Sequence, residues 1–229
     1  MTIFRLSESL TFPPPHLAEK EGLLAVGGDL SQERLLLAYQ QGIFPWFLEG
    51  EPYLWWSPDP RLVLYPHELI VSKSLSKIIR QKKFHITLDA AFDRVILSCA
   101  HIRLNKNEGT WIVQEMINAY TRLHRAGYAH SVEAWSNGEL TGGLYGVALG
   151  RCFFGESMFS IKNNASKVAF VHLVDYLKTK SYRLIDCQVS TAHLKRLGAR
   201  EIPRDDFLKQ LEHALQIPTD HFPWKYSFK

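Results

Sequence analysis

Between Ser31 and Gly42 the apolar residues Leu35, Leu36, Ala38 and Tyr39 fall on one stripe of a short helix. Ser31 stands where an N-cap belongs, Glu33 suits the positive end of the helix dipole, and Gly42 and Pro45 stop the element. In SKSLSKIIRQKKF, Leu75, Ile78 and Ile79 share one side, while Lys73, Lys77 and Arg80 recur at i, i+4 and i+7 on the other. TWIVQEMINAYTRLHRAG predicts another helix, with Thr110 as cap, Ile112, Met116, Tyr120 and Leu123 inward, and Gly127 as stop. The period then becomes strand-like in HSVEAWSNGELTGGLYGVALGRCFFGESMF, where Asn137-Gly138 is a hairpin turn and Gly150 marks a second turn. A helix over about 165–178, a short strand LIDCQV and helical stretches around 191–197 and 205–216 follow. Helices before and after a run of antiparallel strands predict an α+β fold.

One stretch keeps neither period. QGIFPWFLEGEPYLWWSPDPR, residues 41–61, carries Phe44, Trp46, Phe47, Tyr53, Trp55 and Trp56 among four prolines. Packing in a small core is one reading of so many aromatics, and a preset surface for a ligand is another. The change from prolines to the apolar LVLY places a domain boundary near residues 61–66.

Composition narrows the class without naming it. At 229 residues, 46% hydrophobic and 22% charged, the chain has ordinary globular composition and the length for a sizeable core. A net charge of +4 permits a polyanionic partner without requiring one, so the placement of the charges matters more. Lys73, Lys77, Arg80, Lys82 and Lys83 are five cations with no acid between Leu69 and Leu88. They form either a solvated face or a contact for a phosphate backbone. Cys99, Cys152 and Cys187 are odd in number and fit no metal spacing, which points to reduced core thiols. The start has no secretory pattern, and no apolar run reaches the ~18 residues of a membrane span.

Several chemistries fall away on spacing. His67-Glu68 opens like a zinc-protease motif, but Val71 stands where the second His belongs, and the other histidines are scattered, so no metal is expected. No Gly-x-Ser-x-Gly elbow is present. Gly142-Gly143-x-x-Gly146 falls inside a strand, where glycines permit a bulge or close backbone approach. Asp186 and Gln188 in LIDCQV share a strand face opposite Cys187. They are either a satisfied polar pair or an amide that holds an amine, oriented by the carboxylate. Glu156 within FFGESMF is paired structurally or aimed at a cation, and Trp111 is packing or a platform for a nucleobase.

Taken in order, GGDLSQERLLLAYQQGIFPWF, WWSPDPR, EGTWI, GGLYGVALG, FFGESMFS, NNASK and LIDCQV resemble the leucyl/phenylalanyl-tRNA–protein transferases of bacteria, over about residues 22 to 204. The resemblance implies transfer of Leu, Phe or, less readily, Met from aminoacyl-tRNA to proteins with N-terminal Arg or Lys. The product would be an N-degron for protein degradation in the cytoplasm. It also implies a small N-terminal domain (residues 1–62) and a larger acyltransferase domain (63–229) similar to N-acetyltransferases, with a mainly antiparallel sheet. The acyl-CoA signature of those enzymes is not evident, which agrees with another donor, and no cofactor is expected. By position, Asp186 and Gln188 would form a catalytic relay, and Trp46 and Trp111 would hold the terminal adenosine of the tRNA. Phe153, Met158 and Phe170 would take the Leu or Phe side chain, and Lys73, Lys77, Arg80, Lys82 and Lys83 the acceptor stem. Glu156 would meet the acceptor's cationic N-terminus or order the site. An RNA-binding module without catalysis and an acyl-CoA N-acyltransferase are the competing readings.

Overall fold

A computed structural model describes residues 3–104, 112–221 and 223–225. The first part of the chain builds a small sheet. Strands β1 (Phe4–Leu6), β2 (Leu23–Gly27), β3 (Phe44–Pro45) and β4 (Leu54–Trp56) pair in the order β1-β2-β4-β3, with helix α1 (Gln32–Gln40) between β2 and β3. The Ser31 hydroxyl accepts from Arg34 N–H at 3.3 Å, the expected N-cap bond. The aromatic stretch is thus partly strand: β3 and β4 pair antiparallel, and Trp55 of β4 is fully buried.

A larger sheet follows, built from β5 (Arg61–Leu64), β6 (His85–Leu88), β7 (Ala129–Ser136), β8 (Glu139–Leu149), β9 (Cys152–Ser160), β10 (Leu184–Gln188) and β11 (Arg200–Ile202). Its order is β11-β5-β10-β9-β8-β7-β6. The hairpin at Asn137-Gly138 joins β7 to β8 through two residues with positive φ, 55° and 78°, the conformation this dipeptide adopts most easily. Both sheets are mixed rather than purely antiparallel, because β1 pairs parallel with β2 and β9 parallel with β10. The second case follows from helix α5 (Ala165–Thr179), which carries the chain back before β10 so that the two strands run the same way.

The remaining helices are α2 (Lys73–Arg80), α3 (Phe92–Leu104), α4 (Gln114–Arg125), α6 (Ala192–Lys195) and α7 (Arg204–Leu215). Helix α4 begins at Gln114 with Val113 as its N-cap, not at Thr110, which lies outside the described residues. Ile112 is buried but precedes the helix. Helix α3 is an element for which the pattern above predicts nothing, although Phe92, Val95, Ile96, Cys99 and Ala100 form its buried face. One side of the large sheet packs on α3, α4, α1 and Trp55, and the other on α5 and Leu75 of α2. Close approach explains Gly146: a Cβ there would lie 2.2 Å from the Phe154 carbonyl oxygen and 2.5 Å from Phe153 Cζ. Among the described residues no helix is long and apolar enough to cross a membrane.

Candidate active site

Parallel strands β9 and β10 pair from Leu184–Cys152 to Asp186–Phe154. There each strand carries a bulge. In β9, Ser157 faces Tyr145 and Gly155 faces Gly146, which leaves Glu156 as the extra residue. In β10, Asp186 faces Val63 and Gln188 faces Leu62, which leaves Cys187. Bulges bend a strand and re-aim side chains, and these two flank one cavity.

The cavity measures about 400 Å³. Its apolar wall includes Leu144, Phe153, Met158, Phe170, Leu173 and Ile185, and Glu156 and Gln188 line it too. Trp46 forms an exposed part of its rim, 43% accessible, with its ring tilted against Trp56 at 5.7 Å. Trp56 Nε1–H donates to the Trp46 carbonyl at 2.7 Å, which fixes the backbone of that rim.

Behind the Glu156 and Gln188 side of the cavity lies a polar cluster drawn from four elements. Tyr39 of α1 donates to Glu156 Oε1 at 2.7 Å, Tyr120 of α4 donates to Oε2 at 3.0 Å, and the two phenol oxygens also bond each other. Burial pushes the Glu156 pKa up to about 7 against the lowering effect of hydrogen bonds from Tyr39, Tyr120 and Gln188. A carboxyl whose folded pKa exceeds its unfolded value binds more protons when folded, so its contribution to stability falls as pH rises. Glu156→Gln should therefore remove a loss of roughly 3 kcal/mol that the unsubstituted chain suffers between pH 4.5 and 7, with no further difference above that. Urea unfolding of both chains across this range checks it; parallel stability curves would mean that Glu156 titrates normally.

Gln188 Nε2–H donates to Glu156 Oε1 at 2.8 Å, so the Gln188 carbonyl oxygen is the end left for a ligand. The residue has φ = 61°, an uncommon value for a side chain of this size. Its backbone N–H donates to Asp186 Oδ1 at 2.8 Å, which helps hold that turn. Asp186 itself is fully buried and does not line the cavity. Arg61 grips it through two bonds, Nε to Oδ1 at 2.8 Å and a terminal nitrogen to Oδ2 at 2.6 Å. The Arg61 guanidinium lies between the rings of Phe44 and Phe207, 4.8 and 4.6 Å away. The expected alternation, with Asp186 and Gln188 on one face and Cys187 on the other, is broken by the bulge: Cys187 and Gln188 both line the cavity. Glu156, rather than Asp186, is the carboxylate that orients the Gln188 amide.

Phe153, Met158, Phe170, Trp46, Glu156 and Gln188 are thus brought to one cavity, while Trp111 lies outside the described residues. Lys73, Lys77, Arg80, Lys82 and Lys83 are all exposed on and just after α2, away from that lining. Ion pairs among the described residues involve none of the five. Among those residues, no three of His, Cys, Asp and Glu converge where a metal ion could sit. Sequence reasoning missed Tyr39, Tyr120 and Arg61 as parts of the site. The first two fell on apolar stripes that hid their hydroxyls, and Arg61 stood at the end of a motif with no visible partner.

A family model described as leucyl/phenylalanyl-tRNA protein transferase matches residues 63–212, and that family's N-terminal domain matches 28–59. A leucyl/phenylalanyl-tRNA–protein transferase of Syntrophobacter fumaroxidans is 64% identical, over 95% of this chain and 92% of its own. Another, from Desulfatibacillum aliphaticivorans, is 58% identical over 98% of this chain and 96% of its own. One from Desulforapulum autotrophicum is 56% identical over 99% of each chain. With both parts of the chain matched in order and the likeness spanning nearly every residue, this chain belongs to the leucyl/phenylalanyl-tRNA–protein transferase family.

Proposed function

We propose that the cavity between the two bulges is where an aminoacyl ester meets an incoming α-amine, and that Gln188 holds that amine. As a member of its family the chain is an aminoacyltransferase, which moves Leu or Phe from aminoacyl-tRNA to N-terminal Arg or Lys of proteins. Met is a poorer donor in this reading, and the product is an N-degron made in the cytoplasm, where charged tRNA is found. The observation that carries the site assignment is the Gln188 amide, pinned through its nitrogen to Glu156 at the edge of an apolar cavity.

The chemistry asks little of the protein beyond placement. The amine nitrogen attacks the ester carbonyl carbon, a C–N bond forms, and the C–O bond to the ribose breaks. The amine proton finally resides on the departing ribose oxygen, so the step balances without ATP. An α-amine with a pKa of ~7.7–8.0 is partly free base at neutral pH, so no strong general base is needed. Gln188 Oε1 accepts one amine N–H and thereby aims the nitrogen lone pair at the carbonyl. Phe153, Met158 and Phe170 take the donor side chain, and Trp46 stacks on the terminal adenosine. Trp111 completes that adenosine site in the same reading. Asp186 acts as a positioning residue: with both oxygens held by Arg61, it shapes the turn that presents Gln188. Glu156 orders the site instead of meeting the acceptor, since its carboxyl is enclosed by Tyr39, Tyr120 and Gln188.

In the same reading, residues 1–62 form a small domain and 63–229 an N-acetyltransferase-like one. The support is that the four-stranded sheet ends at Trp56, and that the parallel β9–β10 pair opens into the cavity. Lys73, Lys77, Arg80, Lys82 and Lys83 contact the acceptor stem, supported by their exposure and lack of acidic partners among the described residues.

Two variants and two donors test the assignment. Trp46→Ala should weaken use of Phe-tRNA and of phenylalanyl-adenosine alike, by about 1–3 kcal/mol in kcat/KM, because stacking is local to the 3′ end. Replacing Lys77 and Arg80 with Ala should impair Phe-tRNA, and flatten its salt dependence, while sparing phenylalanyl-adenosine. Label transferred to an Arg-initiated peptide is the readout. Equal damage to both donors in the second variant would remove α2 from the acceptor-stem contact.

A further inference from the structure

Past α7 the described residues run by the ends of β6, β7, β8 and β9, and three of them are tied down there. Thr219 Oγ1 accepts from Gly150 N–H at 2.8 Å. The His221 carbonyl passes so close to Gly127 that a Cβ there would sit 2.3 Å from its oxygen. Trp224 N–H donates to Asp89 Oδ2 at 2.7 Å, and the same carboxylate holds His130 Nδ1 and Ser131 N–H at 2.8 Å each. The Trp224 ring lies flat on the His130 ring, centroids 4.0 Å apart and planes 4° apart, and only 4% of the residue is exposed.

That socket shares a wall with the cavity. Trp224 touches Tyr176 and, at 5.8 Å between centroids, Phe153, which lines the cavity. Against β8, Phe153 Cζ is only 2.5 Å from where a Cβ on Gly146 would stand. Phe153 is therefore held between the backbone of β8 and the Trp224 ring. We propose that Trp224 is a positioning residue for donor choice: it backs Phe153 and so sets the depth of the pocket for the donor side chain. The inference rests on that cavity being the donor pocket. Without the indole, the Phe153 ring can retreat into the vacated socket and the cavity deepens toward bulkier side chains.

The full-length chain is assayed with leucyl-, phenylalanyl- and tryptophanyl-adenosine and an Arg-initiated peptide. Trp224→Ala should lower the ratio of kcat/KM for Leu over Trp tenfold or more, with the KM for peptide unchanged, and Trp224→Phe should restore most of the ratio. Trp224→Leu moves the ratio the same way by a smaller factor and serves where the Ala variant does not fold. A common loss for all three donors at unchanged ratio, or no change at all, overturns the inference. Phe153→Leu separates the two levels. If it shifts the donor ratio while the Trp224 variants do not, only the role of Trp224 fails; if it leaves the ratio unchanged, the pocket assignment fails with it.

Discussion

Gln188→Ala should lower kcat by roughly a hundredfold to a thousandfold with both aminoacyl-tRNA and aminoacyl-adenosine, the range typical of losing one orienting hydrogen bond at a reacting centre. The KM for either donor should change little, because the substituted group meets the amine and not the adenosine or the apolar side chain. Gln188→Asn is the sharper comparison. Its amide is one methylene shorter and cannot both reach Glu156, 2.8 Å from the longer side chain, and present its oxygen to the cavity. It should therefore lose nearly as much as the Ala variant. Rapid-quench measurement of a single turnover isolates this step, and a Gln188→Ala rate within threefold of the unsubstituted enzyme would sink the assignment.

Arg61→Leu should cost about 3–5 kcal/mol of stability, since it strands the Asp186 carboxylate in a site with no exposed surface. For a chain of this length that is a drop in Tm of roughly 10 °C. Asp186→Leu alone leaves the guanidinium stranded between Phe44 and Phe207 and should cost a similar amount. The double variant should recover much of the loss, because neither charge is then left without its partner. Asp186→Asn separates positioning from proton transfer. If Asp186 only shapes the turn at Gln188, kcat falls by one factor across the whole pH range. If it accepts the proton, the loss is no longer one common factor and the shape of the pH–rate profile changes.

The two largest effects are thus assigned to residues that the sequence displayed unequally. Gln188 and Asp186 were visible as a polar pair in an apolar strand, but strand alternation put them on one face and paired them with each other. The structure gives their side chains different side-chain partners, Glu156 and Arg61, because the bulge at Cys187 interrupts the alternation. A bulge depends on the neighbouring strand offering one residue against two, and β5 lies more than a hundred residues away in the chain. For the same reason Arg61 had no legible role: its partner, Asp186, is separated from it by 125 positions. Helix α3 was missed although its apolar spacing is regular, whereas α1, α2 and α5 and the Asn137-Gly138 hairpin stood close to where pattern and turn chemistry placed them.

What the sequence determined by itself is therefore the local and the inherited: helix stripes, caps, turn residues, the basic face of α2, and the ordered motifs that carry the family likeness. Each of these rests on spacing within a few residues, or on a direct match of residue types. Tertiary structure alone decided which carboxylate holds Gln188, that Asp186 is sealed beneath Arg61, that Tyr39 and Tyr120 join α1 and α4 to the site, and that Trp224 backs Phe153. These are contacts between strands and helices far apart in the chain, made where two bulges and a parallel strand pair open the sheet. Periodicity encodes which face a side chain takes, but only the register between distant elements sets which group it meets there.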